Sequence, residues 1–310
     1  MSHRGRDVQR TEHHPSLRWC HHTYKNLKNQ PIRDSLTMTV VRTKEWVTRA
    51  SAESVFKRDW DVLIVLDAAR NDEVARADLS EIGVEAHDSL NSVASCTWQW
   101  IPRTFFGPKA PPLDEVAYLS ANPHTDGLSA DEFVLLDEPW RYAWSDEVGT
   151  VEPRTVTDRA IEICRNNSYN RTIIHYLQPH TPYLTPEWQE IDTATFDTEQ
   201  KGVWDRVMAG EIDVSKAVRG YRETLQQTLD EVALVLSNID AEKVVITADH
   251  GEAFGEQGIY GHPADMYIDS LVTVPWTETT ATDSGTHTPT DHRIETDVTV
   301  EQRLERLGYK

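Results

Sequence analysis

Three short runs of the chain are apolar along most of their length, and each is followed at once by polar side chains. They are DVLIVLD at Asp61 to Asp67, TIIHYL at Thr172 to Leu177, and VVIT from Val244. Continuous apolar runs of this length are typical of strands that are covered on both faces. Another short strand is predicted from Ser270 to Trp276. These runs predict a mostly parallel sheet buried between other layers.

Helical spacing of apolar residues separates the predicted strands. The longest such pattern runs from Val214 to Ile239 and predicts a helix that crosses over to the strand at Val244. Further helices are predicted at Glu45 to Lys57, in WQWIPRTFF from Trp98, at Thr155 to Arg165 and at Val298 to Leu307. Strands that alternate with helices predict an α/β fold.

The amino terminus differs in composition from the rest of the chain. Residues 1–40 are basic and rich in histidine, whereas residues 41–310 are predicted to form a single α/β domain. Histidines in such a tract either bind a metal or belong to a loosely docked arm, and we favour the arm. The histidines concerned are His13, His14, His21 and His22.

Two other segments lack a clear strand or helix pattern. Residues 107–149 are rich in proline and are predicted to be mainly loops, which are expected to select the substrate. Residues 277–292 are rich in Thr, Asp and Ser and are predicted to be exposed or mobile.

Charge excludes one class of partner. The 310 residues include 31 Lys and Arg against 51 Asp and Glu, for a net charge of −20. A phosphate backbone would be repelled, so a nucleic-acid-binding function is not expected. The same excess favours a halophilic protein from a high-salt cytoplasm, such as that of a haloarchaeon, over an ordinary acidic mesophilic protein.

Cysteine usage and hydropathy bear on the compartment. Cys20, Cys96 and Cys164 are scattered and predict neither a disulfide framework nor a CxxC zinc site. No apolar run approaches the roughly 20 residues that span a bilayer, and the amino terminus has no apolar signal core. The sequence therefore predicts a cytoplasmic protein without a membrane span.

Acidic and imidazole side chains follow the predicted strands. Asp67 ends the first, His180 follows the second in QPHTPY, and Asp249 and His250 follow the third, with His262 one glycine-rich loop later. The carboxyl ends of parallel strands share one edge of a sheet, where open α/β sheets place their sites. Asp67 is equally able to cap the next helix. His175, inside its strand, is interpreted as a core histidine.

These residue types suit a metal. Asp and His ligands together favour zinc or manganese, whereas an all-oxygen set would favour calcium or magnesium. The loop before Trp98 adds three possible nucleophiles, Ser95, Cys96 and Thr97, although such runs are more often capping and turn residues. A metal beside a hydroxyl lowers its pKa and offsets charge on a phosphoryl or sulfuryl group, so metal-assisted ester chemistry is predicted.

In order, the motifs are DVLIVLDAAR, the Ser/Cys/Thr loop, HYLQPHTPY and VVITADHGEAFGEQGIYGH, with ERLGYK at the end. This order resembles the sulfatase-like branch of the alkaline phosphatase superfamily, over roughly Trp60 to Trp276. The DHGE…GE.G.YGH signature is the specific part. The resemblance implies a three-layer α/β sandwich in which a mostly parallel central sheet is flanked by helices.

The resemblance also implies roles for individual positions. Asp67 would match the first-strand metal ligand, and Asp249 and His250 the ligand pair of the late strand. His180 and His262 would contact the transferred group or hold a second metal, as in the phosphoethanolamine transferases.

The nucleophile would lie in the Ser95 to Thr97 loop. Cys96 lacks the x-Pro-x-Arg that follows the sulfatase nucleophile, and Ala68 replaces the second Asp that sulfatases carry. Thr97 is therefore ranked first, as in the phosphoethanolamine transferases and lipoteichoic acid synthases, followed by Cys96 and Ser95. Arg70 or Arg103 would supply a positive charge near the substrate.

The sequence is compatible with two functions. The first is a metal-dependent hydrolase or transferase that acts on a small-molecule or glycan phosphate or sulfate ester through a covalent hydroxyl-linked intermediate, with one or two divalent ions. The second is a non-catalytic member of the same fold that keeps the metal and acts as a binding or scaffold protein.

Overall fold

Strand β1 (Val62–Leu66) lies at the centre of a seven-stranded sheet in the computed structural model, which describes residues 51–188, 202–294 and 298–308. The strand order is β2-β9-β6-β1-β5-β3-β4. The remaining strands are β2 (Ala86–Asn91), β3 (Val116–Ser120), β4 (Leu135–Asp137), β5 (Arg171–Tyr176), β6 (Ala241–Thr247) and β9 (Thr273–Ala281), with β7 (Ala253–Phe254) and β8 (Tyr260–Gly261) forming a separate two-stranded sheet.

The central strands are parallel, as their apolar runs predict. Strand β1 pairs in parallel with β5 and with β6, and β3 pairs in parallel with β4 and β5. Only β9 introduces antiparallel pairing in this sheet, with β2 and β6, among the strands in the described residues. All five residues of β1 are buried, because a central parallel strand is covered on both faces.

Seven α-helices occur in the described part of the chain. They are α1 (Asn71–Val74), α2 (Thr97–Phe105), α3 (Pro153–Asn166), α4 (Val203–Met208), α5 (Val214–Leu236), α6 (Asp269–Val272) and α7 (Val300–Arg306). Short 3₁₀ segments occupy Val55–Lys57, Leu113–Glu115, Pro123–Gly127, Ala130–Glu132, Pro139–Arg141 and Glu256–Gly258. The helices predicted around residues 98, 155, 214 and 298 are thus present, with ends that differ by a few residues.

Helices cover both faces of the sheet. Consecutive residues of a strand point to opposite faces, and in β5 the His175 ring contacts Trp100 of α2, whereas the Tyr176 hydroxyl bonds to Thr157 of α3 at 2.8 Å. Helix α3 packs in turn against α5. The predicted arrangement of a mostly parallel sheet flanked by helices is confirmed.

Several predicted elements are different in the structure. The helix predicted at Glu45 to Lys57 does not extend through its end, since residues 51–54 are not helical and only Val55–Lys57 forms a 3₁₀ turn; its first part lies outside the described residues. The strand predicted from Ser270 begins instead at Thr273, because Asp269–Val272 makes one helical turn first.

Residues 107–149 contain more regular structure than their prolines predict. Strand β3 lies in this region and is buried throughout, and β4 joins its edge. Trp140 and Trp144 are fully buried and pack in the core. The guanidinium of Arg303, on α7, lies over both indole rings and donates to the Trp140 carbonyl at 2.5 Å. The end of the chain therefore packs on this region.

The prediction of an exposed or mobile segment at residues 277–292 is wrong for its first part. Strand β9 extends to Ala281 and buries Thr277 and Thr279, because this strand pairs along both its edges. Beyond β9 the segment is mostly exposed, yet it is bonded to α3: Nε2 of His287 and of His292 lie 2.5 and 2.6 Å from the two carboxylate oxygens of Asp158.

Other expectations concern the termini and the membrane. The 1–40 arm, with its histidines and Cys20, lies outside the described residues. Among the described residues, neither Cys96 nor Cys164 forms a disulfide. Among the helices in the described part of the chain, none is long and apolar enough to cross a bilayer.

Candidate metal centre

A tight turn after β1 forms a hydrogen bond with the residues that follow β6. Asp67 is fully buried, and its amide donates to the Tyr176 carbonyl at 3.2 Å. Ala68 then has a φ of 63°, a conformation that costs a non-glycine residue about 1 kcal/mol. The turn directs the Ala68 amide to Oδ1 of Asp249 at 3.2 Å. Two of the predicted ligands are thereby fixed side by side.

Asp67, Asp249 and His250 form a compact, fully buried group. One ligand atom from each lies within 4.8 Å of the others, so together they could hold a metal ion. The closest approaches of His250 Nε2 to the two carboxylates are 3.5 Å to Asp67 Oδ1 and 3.4 Å to Asp249 Oδ2. Metal ligands converge in this way, with their donor atoms aimed at a shared point.

The protonation of His250 suits a metal ligand. Its Nδ1 lies 2.8 Å from the Gly251 carbonyl, which can only accept a hydrogen bond, so Nδ1 carries the ring proton. Burial lowers the pKa of His250, which keeps the ring neutral. The lone pair is consequently on Nε2, the atom that faces both carboxylates, as in histidines that bind metals.

The two carboxylates are incompletely satisfied by the protein. Asp67 Oδ2 accepts from Asn122 Nδ2 at 2.6 Å, but the buried Asp67 Oδ1 has no hydrogen-bond partner. A buried carboxylate oxygen without a donor is costly, and a cation would satisfy it. The residues therefore fit a bound divalent metal.

The pKa values of Asp67 and Asp249 are shifted in opposite directions. Burial, followed by the nearby charge of Asp249, raises the pKa of Asp67 well above its usual range. Burial also opposes ionisation of Asp249, but His250, His175 and the Thr97 hydroxyl outweigh it and lower the pKa of Asp249. A bound cation would favour the ionised form of Asp67 and so oppose the rise in its pKa.

Thr97 is the candidate nucleophile whose hydroxyl lies among these ligands. Its Oγ1 donates to Asp249 Oδ2 at 2.7 Å and lies 3.3 Å from Asp67 Oδ2 and 3.2 Å from His250 Nε2. Thr97 is fully buried and is the first residue of α2, where backbone N–H groups favour negative charge.

The other two nucleophile candidates, Ser95 and Cys96, are placed differently from Thr97. Ser95 is turned to another loop, where its Oγ donates to the Pro263 carbonyl at 2.9 Å and accepts from the Met266 amide at 3.2 Å. Cys96 is buried immediately before α2.

His180 and His262 lie beside the group. The ring centroid of His262 is 4.6 Å from that of His250 and 4.9 Å from that of His180. His180 is positioned through its amide, which donates to the Asp67 carbonyl at 3.1 Å, and its Nδ1 donates to the Thr181 carbonyl at 2.7 Å. Burial lowers the pKa of His180 to about 3 and that of His262 to about 4.

The two arginines that were predicted near the substrate are engaged elsewhere. Arg70 forms ion pairs with Asp72 at 2.8 Å and with Glu256 at 2.6 Å, and it donates to the Glu252 carbonyl at 3.0 Å. Arg103 donates to Val93 O at 2.9 Å, and to the Tyr267 hydroxyl and Asp265. Arg70 thus fastens the loop after β6 to the turn after β1, because its planar fork bonds several oxygens at once.

Three residues near the site were not predicted from the sequence. Glu252 is buried, accepts from His262 Nδ1 at 2.9 Å, and has its pKa raised to about 7 by burial. Asn122 bonds Asp67, and burial followed by the charges of His180 and His262 lowers the pKa of His124 to about 3. Glu252 belongs to the DHGE motif and could have been found there, whereas Asn122 and His124 follow β3, which itself was missed.

Comparison of the whole chain with known proteins gives structural matches only. No protein-family model matches the sequence, and no curated protein matches it. The soluble domain of lipooligosaccharide phosphoethanolamine transferase A from Neisseria meningitidis matches with a TM-score of 0.50 and 18% identity, over 73% of this chain and 77% of that one.

Two further matches are weaker. The periplasmic domain of phosphoethanolamine transferase EptC from Campylobacter jejuni has a TM-score of 0.49 and 15% identity, covering 70% of this chain and 78% of that one. A 2-O GAG sulfatase has a TM-score of 0.43 and 12% identity, covering 71% and 64%. These neighbours are two phosphoethanolamine transferases and a sulfatase, and the match at a TM-score of 0.50 shows that the chain shares the α/β fold of that transferase domain.

Proposed function

We propose that the chain is a metal-dependent enzyme that acts on a phosphate or sulfate ester, with Thr97 as the nucleophile. The observation that supports this most directly is the position of the Thr97 hydroxyl, within 2.7 to 3.3 Å of atoms of Asp249, His250 and Asp67. A hydroxyl directed into a buried set of metal ligands is an arrangement that activates a nucleophile.

The protein groups have distinct tasks in this proposal. The Thr97 hydroxyl releases its proton to solvent, and its oxygen forms a bond to phosphorus or sulfur. The bond from that atom to the ester oxygen breaks, and the leaving alcohol takes up a proton. Water or a second alcohol then cleaves the ester on Thr97, giving hydrolysis or transfer respectively. Asp249 accepts the hydrogen bond that orients the Thr97 hydroxyl before attack. The rings of His180 and His262 are neutral without substrate, whereas an anionic ester would favour their protonated forms, which contact the non-bridging oxygens or protonate the leaving group.

The proposed metal is zinc or manganese. Asp67, Asp249, His250 and the Thr97 oxygen would hold it, and His180 with His262 would hold a second ion where two are bound. When bound, the cation lowers the pKa of the hydroxyl and offsets the charge that develops on the transferred group. Mixed oxygen and imidazole donors favour these borderline cations over calcium or magnesium.

Asp249→Asn tests the proposal. The amide is similar in size but loses the negative charge, so we expect zinc binding to fall by at least 100-fold and ester cleavage to be lost. Metal affinity is measured by competition with a chromogenic chelator, and turnover with nitrophenyl phosphate and nitrophenyl sulfate. Asp131→Asn, at an exposed carboxylate in a 3₁₀ turn, is the matched control and should change neither quantity.

The outcomes separate the two functions that the sequence suggests. Turnover of either ester that disappears in Asp249→Asn supports the enzyme and identifies phosphate or sulfate as the substrate group. Zinc binding without turnover on any phosphate or sulfate ester would favour the non-catalytic scaffold instead. Full activity in Asp249→Asn would refute the proposed centre.

A further inference from the structure

A further buried histidine lies directly behind the candidate metal centre. His175, on β5, is completely buried, and its Nε2 lies 3.9 Å from Oδ2 of Asp249. This Nε2 has no hydrogen-bond partner, which is unusual for a buried ring nitrogen. On the other side of the ring, His175 Nδ1 lies 2.8 Å from the Tyr118 hydroxyl.

The surroundings of His175 decide which ring nitrogen carries the proton. Asp249 Oδ2 is an acceptor, so an Nε2 lone pair directed at it would be repelled, whereas an Nε2–H is attracted. The proton is therefore on Nε2, and the Tyr118 hydroxyl donates to Nδ1. Tyr118 holds the ring in this tautomer, as carbonyls or carboxylates do for histidines next to metal sites.

Aromatic packing fixes the orientation of the ring. The Trp100 ring meets His175 edge-on at 5.6 Å, and the Tyr118 ring stacks on it at 6.1 Å. Trp100 is on α2, the helix that begins with Thr97, so the packing also connects His175 to the proposed nucleophile. A ring held on these sides has little freedom to turn its Nε2 away from Asp249.

We propose that Tyr118 and His175 are positioning residues for the metal ligand Asp249. The Nε2–H of His175 holds the Asp249 carboxylate in the orientation that aims it at the cation, and the Tyr118 hydroxyl keeps the proton on Nε2. This inference rests on the proposed metal centre. It gives His175, which the sequence predicts to be only a core histidine, a role in that centre. Neither residue contacts the metal or the substrate.

The separation of 3.9 Å is consistent with this role. It exceeds the range of a hydrogen bond by less than 1 Å. In the structure Asp249 Oδ2 is drawn to the Thr97 hydroxyl at 2.7 Å. A cation that took over the Thr97 oxygen would leave the Asp249 carboxylate free to approach the Nε2–H of His175.

The opposite face of the same strand supplies a matched control. Tyr176 is also completely buried, and its hydroxyl bonds Thr157 on α3 at 2.8 Å, much as Tyr118 bonds His175. Tyr118→Phe and Tyr176→Phe each remove one buried hydroxyl and its hydrogen bond. Only the first removes a hydroxyl that acts on the metal centre.

The test measures zinc affinity by chelator competition for the full chain, together with the melting temperature of the EDTA-treated protein. Tyr118→Phe is expected to weaken zinc binding by roughly 10-fold or more, the usual effect of losing an outer partner of a metal ligand. Tyr176→Phe should bind zinc like the wild type, although both variants lower the melting temperature.

A double variant tests whether Tyr118 acts through His175. His175→Phe should weaken zinc binding at least as much as Tyr118→Phe, and combining the two should add little, because one connected path is already broken. Additive losses of zinc affinity in the double variant would refute the proposal that Tyr118 acts through His175. Unchanged zinc affinity in Tyr118→Phe would refute it as well.

These results are distinguishable from failure of the proposed function. If the wild type binds zinc and Asp249→Asn does not, the centre stands whatever Tyr118→Phe does. If the wild type binds neither zinc nor manganese, both the centre and this inference are refuted.

Discussion

At the scale of single residues, the direction of the hydroxyl separates two of the nucleophile candidates, Ser95 and Thr97. Ser95 bonds backbone groups of another loop through its Oγ, whereas the Thr97 hydroxyl bonds the carboxylate of Asp249. The difference arises because Thr97 is the first residue of α2 and Ser95 still belongs to the preceding loop. Helix geometry thus places one of three adjacent side chains at the centre.

Thr97→Val and Thr97→Ser test the nucleophile as a matched pair. Valine has nearly the shape of threonine but no hydroxyl, so we expect turnover to fall by roughly 10³-fold or more. Serine keeps the hydroxyl and should retain measurable turnover. Turnover is followed with the ester identified by the wild type, and the covalent adduct is sought by mass spectrometry of the peptide that contains residue 97.

Two results would contradict this assignment. One is Thr97→Val turnover equal to that of Thr97→Ser. The other is a phosphorylated or sulfated residue at Ser95 or Cys96 in the wild type.

At the scale of elements, the strands that carry the candidate ligands were the easiest to predict. Strands β1, β5 and β6 are central and each contains a run of buried apolar residues, so the polar residues that follow these runs stand out. The parallel arrangement then brings Asp67, His180 and Asp249 to one edge. This part of the site follows from local pattern combined with topology.

Other elements could not be predicted from a local pattern. Strand β3 is short and lies in a proline-rich region, so its five buried residues did not stand out. Strand β2 is mostly exposed and shows no apolar run. Arg70 has a charge that suits substrate binding, but its partners Glu252 and Glu256 are distant in sequence and become neighbours only through the fold.

The loop after β6 passes very close to α6, and this explains Gly251. A Cβ at this position would lie 2.1 Å from the Ser270 carbonyl oxygen, and the Gly251 amide donates to the Leu271 carbonyl at 2.7 Å. Gly251→Ala should push the loop away from α6 and displace His250, lowering both the melting temperature and zinc affinity. Calorimetry and chelator competition measure the two effects.

Gly202→Ala is the control for this prediction. The nearest atoms to a Cβ there lie 3.9 Å away, and the residue has a φ of −57°, which alanine adopts readily. It should leave the zinc affinity unchanged. Wild-type zinc affinity in Gly251→Ala would show that the contact with α6 does not position His250.

At the scale of the whole molecule, we expect buried histidines to determine how the free energy of unfolding changes at acidic pH. Burial lowers the pKa of His124 and His180 to about 3 and of His175 and His262 to about 4, against about 6.5 in an unfolded chain. Below pH 6.5 the unfolded chain binds protons that the folded protein does not. Stability is therefore lost as the pH falls from 6.5 toward these values.

The carboxyl groups of Glu252 and Asp67 change the pH dependence of stability in the opposite direction, but the buried histidines outnumber them. The raised pKa of Glu252, about 7, and that of Asp67 give stability that is present at low pH and lost as the pH rises through the folded pKa. At pH 5.5 each buried histidine costs roughly 1.4 kcal/mol. We expect the EDTA-treated protein to melt several degrees lower at pH 5.5 than at pH 7.

Variants at two histidines check the source of this effect. His180→Asn should reduce the difference in melting temperature between pH 7 and pH 5.5, because one buried titrating group is removed. His87→Asn, at an exposed histidine of β2, should leave the difference as it is in the wild type. A melting temperature that does not fall on acidification would contradict the argument.

The position of β1 between β5 and β6 has a consequence for synthesis of the chain on the ribosome. Asp67 leaves the exit tunnel early, but its parallel neighbours start at Arg171 and Ala241, and its partner ligands are Asp249 and His250. Until β6 has emerged, the apolar central strand lacks one neighbour and the candidate ligands are incomplete. Completion of the sheet and of the candidate ligand set therefore waits for the synthesis of β6, and a nascent chain stalled before residue 241 would expose β1 to chaperones.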